Sequence, residues 1–184
     1  MISRRALIAA FTATPAIGAA SRAAASAASA HAFGFEGIDG GDITLGDFAG
    51  RPVLVVNTAS RCGFTYQYDQ LQALYDRFRE RGLVVLGVPS DDFNQELGTE
   101  ADVKHFCEVN FGIDFPMTAI TAVRGRDAHP FYAWARQTTG RGPRWNFHKY
   151  LVAPDGGIAG HWGSNTEPMS RPIVDAVEAQ LPTG

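Results

Sequence analysis

Apolar positions along the chain change period several times, and each change marks an element. Val53-Leu-Val-Val56 is an unbroken apolar run, the pattern of a strand covered on both faces, and it gives way to the polar turn Asn57-Thr-Ala-Ser-Arg-Cys-Gly63. From there Leu71, Leu74, Tyr75 and Phe78 recur at three- and four-residue intervals, while Asp69, Gln72, Asp76, Arg79 and Glu80 fill the other face. This predicts an amphipathic helix opened by Thr65 and stopped by Gly82. Leu83-Val-Val-Leu-Gly-Val88 repeats the buried-strand pattern and ends at Pro89. Two buried strands joined by one helix predict a right-handed βαβ unit in a parallel sheet.

The flanking segments are read in the same way. Phe33, Phe35 and Ile38, then Ile43, Leu45 and Phe48, lie on either side of Asp39-Gly-Gly41 and predict a small N-terminal hairpin. Thr99-Glu-Ala-Asp102 predicts the cap of a helix carrying Val103, Phe106, Cys107 and Val109 and ending near Gly112. Phe115 to Val123 is a third strand candidate, and His129 to Thr138 a helix with Phe131, Trp134 and Ala135 inward. Trp145 to Val152 and Ile158 to Trp162 pair across Pro154-Asp-Gly-Gly157 as a hairpin, and Pro168 to Leu181 supplies a last helix. No internal repeat or long linker divides the chain. The order of elements and the place of Cys62 predict a thioredoxin-like α/β fold, a central mixed sheet flanked by helices with an N-terminal hairpin.

Composition adds two points. With 45% hydrophobic and 19% charged residues in 184, the chain has the make-up of one globular domain. Residues 1 to 30 are different: a short basic start with Arg4 and Arg5, an apolar stretch from Ala6 to Ala20, and small residues ending Ala28-Ser-Ala30. This predicts an export signal cleaved before His31, and Ser3-Arg-Arg-Ala-Leu7 resembles a twin-arginine signal. The expectation is therefore a periplasmic protein with one domain over residues 31–184. The leader is too short and too alanine-rich to span a membrane. Three of the 16 basic residues and none of the 19 acidic ones lie in the leader, so the rest carries 13 against 19. An acidic surface does not invite nucleic acid.

Two cysteines remain, Cys62 and Cys107. Cys62 falls between the end of a buried strand and the start of a helix, where unpaired N–H groups and the positive end of the helix dipole favour a thiolate. A reactive thiol and a small buried core residue both fit that position. In an exported chain the pair also fits a structural disulfide, although one staple is few for a domain able to build its own core. Three residues after Cys62 stands Thr65, so the two-cysteine turn of a disulfide oxidoreductase is absent. A single activated sulfur would instead attack an electrophile such as a peroxide oxygen and become a sulfenic acid.

Four motifs then give a resemblance. Val56-Asn-Thr-Ala-Ser-Arg-Cys-Gly-Phe-Thr65, Phe93-Asn-Gln-Glu-Leu-Gly98, Phe106-Cys-Glu-Val-Asn-Phe-Gly112 with Phe115-Pro116, and Trp145-Asn-Phe147 resemble, in order and rough spacing, those of the glutathione peroxidase family. The resemblance covers essentially everything from Phe33 to the last helix. It implies that Cys62 is the peroxidatic residue, that Gln95, Trp145 and Asn146 complete a hydrogen-bonding tetrad around it, and that Cys107 is the resolving thiol of the thioredoxin-dependent members. The three tetrad partners are neutral donors, able to stabilise a thiolate and a departing oxygen without forming a permanent ion pair. Before the Gln-Glu pair this chain has Ser90-Asp-Asp-Phe-Asn94, one residue shorter than is common, with Ser90 where some members have a cysteine. A peroxiredoxin fits less well, because Ala59 stands three residues before Cys62 where a Thr or Ser is wanted.

The expected activity is reduction of hydrogen peroxide and organic hydroperoxides without a cofactor, with recycling by a thioredoxin-like protein in preference to glutathione. The histidines are scattered, with His129 and His161 expected at the surface, and His105 and Cys107 would face apart on a helix, so no metal is expected. The short link from Thr138 to Trp145, where tetrameric relatives carry an insertion, implies a monomer. The competing expectation is an exported, non-catalytic binding module stapled by a Cys62–Cys107 disulfide.

Overall fold

A computed structural model describes residues 29–182; all but the last two residues of the predicted leader, and with them the body of the export signal, lie outside the described residues. A four-stranded sheet forms the centre. Its strands are β3 (Val53–Thr58), β4 (Val84–Pro89), β5 (Lys149–Val152) and β6 (Ile158–Trp162), in the order β4-β3-β5-β6. β3 and β4 run parallel and are joined by α1 (Gln67–Phe78); β5 is antiparallel to β3, and β6 is antiparallel to β5. The N-terminal hairpin is short, β1 (Gly34–Glu36) against β2 (Asp42–Thr44), and Leu45–Phe48 is a 3-10 turn. Helices α2 (Glu100–Phe111), α3 (Pro130–Thr139) and α4 (Arg171–Gln180) complete the layers.

Strand alternation divides the core between the two sheet faces. Leu54, Val56, Val85 and Leu151 meet α1, α2 and α4 through Leu71, Leu74, Phe78, Val103, Cys107, Ile173 and Val177. Val53, Val55, Val84, Leu86 and Val152 meet α3 and the hairpin through Phe131, Ala135 and Phe35. β3 and β4 are buried at every position, which is why they read as continuous apolar runs. Emptying such a position, as in Leu54→Ala, costs about 2–5 kcal/mol.

Four sequence expectations need correction. The predicted strand from Phe115 to Val123 forms only isolated bridges, Met117 beside Gly87 and Thr118 beside Gly37. Pro116 supplies no N–H, and beyond Thr118 the hydroxyls of Thr118 and Thr121 both bond the Ala119 carbonyl, which turns the chain away from the sheet. Gly87 is needed for this approach, since a Cβ there would stand 3.1 Å from Phe115 and 3.3 Å from Met117. Second, α1 begins at Gln67 rather than Thr65, because residues 62–68 first make tight turns, with the N–H groups of Thr65, Gln67 and Tyr68 donating to the carbonyls of Cys62, Phe64 and Thr65. Third, β5 starts only at Lys149, leaving Trp145 and Asn146 in the preceding turn, and α4 starts only at Arg171. Fourth, His129 is half-buried as the N-cap of α3, its Nδ1 accepting from Phe131 N–H at 3.2 Å and its Nε2 donating to the Gly34 carbonyl at 2.9 Å.

At the N-terminal end, Ala30 is fully buried and its N–H donates to the Gly156 carbonyl at 2.9 Å, so the packed unit includes the residue before His31. No helix of the described residues is long and apolar enough to cross a membrane.

Candidate active site

The carboxyl end of the sheet gathers three segments: the turn after β3 with Cys62, the loop after β4 with Gln95, and the turn before β5 with Trp145 and Asn146. Sequence separates them by tens of residues. Two buried polar side chains hold them together.

Asn57, near the end of β3, is fully buried. Its backbone N–H donates to the His148 carbonyl at 3.2 Å and its carbonyl accepts from Phe147 N–H at 2.6 Å. Its side chain donates to the Trp145 carbonyl at 3.2 Å and accepts from His148 N–H at 3.1 Å. Four hydrogen bonds from one residue thus clamp the Trp145–His148 turn beside the Cys62 turn.

Glu96 performs the same service on the other side. It is buried, and its Oε1 accepts from both Ser60 N–H at 2.9 Å and Leu97 N–H at 2.8 Å. Arg61 N–H donates to the Gln95 carbonyl at 2.8 Å, so the two residues preceding Cys62 are both tied to the Gln95 loop. Burial raises the Glu96 carboxyl above its ordinary value, and the hydrogen bonds it accepts pull it partly back.

Within this frame Asn146 Nδ2 donates to Gln95 Oε1 at 3.3 Å, and the Trp145 ring packs on Phe93 at 5.2 Å between centroids. Asn146 is fully buried and Trp145 is 40% exposed. The backbone is unusual where these residues sit. Asn94, just before Gln95, and Phe147, just after Asn146, have φ of 54° and 62°, the only positive values outside glycine among the described residues. Asparagine tolerates that region, but for phenylalanine it is costly and is held here by burial, by the bond from Phe147 N–H to Asn57, and by edge-on packing of its ring on Tyr68.

Cys62 is 4% exposed, and Cys107 is fully buried; both are free thiols. No side-chain donor among the described residues hydrogen-bonds the Cys62 sulfur in this state. The N–H groups of Cys62, Gly63 and Phe64 also donate no hydrogen bond among the described residues. The four expected site residues are therefore brought to one edge, with Gln95 and Asn146 in direct contact. Cys107 stands apart in α2. Burial pushes its thiol up to about 12, the Tyr68 hydroxyl beside it acting in the opposite sense. A thiol in that state is neutral and unreactive.

A third buried polar residue lies beside this frame. Lys149 is fully buried, with Nζ donating to Gln67 Oε1 at 2.5 Å and to the Thr166 carbonyl at 2.7 Å, while Gln67 in turn donates to the Ser164 carbonyl at 2.7 Å. Burial lowers its ammonium to about 7. Asn57 and Lys149 each interrupt an otherwise apolar strand, and that interruption was the available signal. Beside Trp145 a cavity of about 620 Å³ opens, lined also by Arg141, Arg144, His148, His161 and Trp162. No group of three or more His, Cys, Asp or Glu side chains among the described residues is gathered to hold a metal ion.

Comparison with known proteins gives this arrangement its context. The glutathione peroxidase family model matches residues 30–136. The glutathione peroxidase homolog BsaA of Bacillus subtilis is 46% identical over 149 residues, covering 77% of this chain and 93% of that protein. The hydroperoxy fatty acid reductase of Synechocystis is 39% identical over 149 residues, covering 75% and 88%. The glutathione peroxidase-like peroxiredoxin HYR1 of Saccharomyces cerevisiae is 39% identical over 138 residues, covering 72% and 83%. Among solved structures, Trgpx in its apo form superimposes with a TM-score of 0.65 at 32% identity, covering 84% of this chain and 99% of that one. A thiol:disulfide interchange protein of the thioredoxin family from Chlorobium tepidum, at 16% identity and a TM-score of 0.58 over 80% and 92%, shares the fold. A thioredoxin-like sheet, a sulfur on its carboxyl edge and these relatives lead to one conclusion: the chain belongs to the glutathione peroxidase family and is a peroxidase.

Proposed function

We propose that Cys62 is the peroxidatic residue of a thiol peroxidase acting on hydrogen peroxide and organic hydroperoxides. The Cys62 thiolate attacks one peroxide oxygen, the O–O bond breaks, and water or an alcohol leaves after taking up a proton. Cys62 becomes a sulfenic acid. The Gln95 amide, the Trp145 indole and the Asn146 amide supply neutral donors for the charge that develops on the departing oxygen. The observation that carries this reading is the junction at the sheet edge, where Arg61 N–H meets the Gln95 carbonyl and Asn146 meets the Gln95 side chain.

Cys107 then acts as the resolving thiol. Its sulfur displaces water from the sulfenic acid, giving a Cys62–Cys107 disulfide that a thioredoxin-like donor reduces in preference to glutathione. A peroxiredoxin-like relative such as HYR1 supports a protein reductant of this kind. The step requires Cys107 to leave its burial, and α2 is built to permit it. Of its twelve residues only Val103 and Cys107 are buried, and Val103, His105, Cys107 and Val109 are weak helix formers. The free thiols and the peroxidase relatives disfavour the stapled binding module. The basic, apolar leader supports export to a periplasm, and the short link before Trp145 supports a monomer.

The test is turnover of hydrogen peroxide and a fatty-acid hydroperoxide with thioredoxin and its reductase, against the same assay with glutathione. Faster turnover with thioredoxin supports the reading; turnover with glutathione alone rejects the reductant assignment.

A further inference from the structure

We propose that Glu96 is a positioning residue for peroxide reduction: its buried carboxylate sets the Cys62 turn in register with the Gln95 loop. The inference rests on Cys62 and Gln95 having the roles given above.

The geometry carries it in three steps. First, one oxygen of Glu96 receives the N–H groups of Ser60 and Leu97, residues 36 positions and one position away in sequence. The carboxylate thereby bridges the residue two before Cys62 and the residue two after Gln95. Second, the bridge is itself held, because Glu96 N–H donates to Asp91 Oδ1 at 3.1 Å and Asn94 N–H to the Asp91 carbonyl at 2.8 Å, across the positive-φ turn that delivers Gln95. Third, the arrangement is expensive as a mere strut. Glu96 is only 5% exposed and its Oε2 is buried with no hydrogen-bond partner among the described residues, a cost that ordinary loop packing would not require.

What Glu96 offers is an acceptor able to take two N–H groups at one point. With the bond from Arg61 N–H to the Gln95 carbonyl, it fixes how the Cys62 turn sits against the Gln95 loop, and misplacement of reacting groups by about 1 Å is enough to cost on the order of 10²-fold in rate.

Two reactions of Cys62 separate positioning from general damage. Reduction of hydrogen peroxide needs the thiolate and the donors around the departing oxygen, whereas alkylation by iodoacetamide needs the thiolate alone. In Glu96→Ala, the second-order rate constant with hydrogen peroxide is expected to fall roughly 10²-fold while alkylation stays within about 3-fold of wild type. Glu96→Gln, whose amide oxygen can accept the same two N–H groups, is expected to restore both rates to within about 3-fold. Should Glu96→Ala fail to fold, Glu96→Asp, too short to reach both groups, is read by the same criteria. Peroxide reduction unaffected by the truncation, equal losses in both reactions, or no rescue by Glu96→Gln would overturn the proposal. A wild-type protein that does not reduce peroxide at Cys62 would instead reject the reading on which it rests.

Discussion

Asn146 and Gln95 meet through a hydrogen bond of 3.3 Å, from the Asn146 amide to the Gln95 carbonyl oxygen. The direction of that bond has a consequence for catalysis. Gln95 uses its acceptor to hold Asn146 and donates neither side-chain N–H to any of the described residues, while its half-buried position leaves it accessible to a substrate oxygen. Gln95→Ala and Asn146→Ala are each expected to lower the rate constant with peroxide by roughly 10²-fold. Because the two act through one contact, the double variant should lose less than the product of the single losses. Stopped-flow kinetics on the reduced proteins measure this; strictly multiplicative losses would show that the contact is catalytically silent.

The site was only partly legible in the sequence, and the split follows contact distance. Val53–Val56, the helix after it and Leu83–Val88 were readable because burial imposes a local period, and Cys62 stood out at their junction. The segment at Phe115–Val123 was apolar enough to read as a strand, but Pro116 and the threonine hydroxyls decide its course through bonds that hydropathy does not encode. The joining roles of Asn57 and Glu96 are hidden for a related reason. Their partners lie 88 and 91 residues away for Asn57 and 36 away for Glu96 on its Ser60 side, so nothing in the neighbouring sequence shows that they join loops.

Cys107 decides how the cycle closes. In Cys107→Ser the first equivalent of peroxide should be reduced at the wild-type rate, since Cys107 is buried in α2 and makes no bond to the Cys62 turn. Thioredoxin-driven turnover should collapse, and Cys62 should progress to sulfinic acid under excess peroxide. Mass spectrometry of the Cys62 peptide reads the oxidation state. Undiminished turnover would show that Cys107 is a core residue and that the reductant attacks the sulfenic acid directly.

Acid should destabilise the fold through His148. Burial, aided by the nearby charges of His161 and Lys149, lowers its imidazole from 6.5 to about 4, and its Nε2 is buried without a partner. The unfolded chain takes up a proton near 6.5 and the native chain only near 4. The stability contributed by neutral His148 is therefore complete above pH 6.5 and is lost as pH falls toward 4, an effect of about 3 kcal/mol. Thermal unfolding between pH 7 and 4.5 should show Tm falling more steeply in wild type than in His148→Phe. Parallel curves would assign the acid lability to other groups.

The central claim is that peroxide oxygen is transferred to the sulfur of Cys62. The most direct measurement mixes reduced wild type and Cys62→Ser with one equivalent of hydrogen peroxide, follows peroxide loss, and locates the oxidised residue by peptide mass spectrometry in the presence of a sulfenic-acid trap. The account predicts stoichiometric consumption by wild type, with the trapped sulfenic acid or a Cys62–Cys107 disulfide as product, and no consumption by Cys62→Ser despite an unchanged circular dichroism spectrum. Peroxide reduction by Cys62→Ser within a few-fold of wild type, or first oxidation at Cys107, would contradict it.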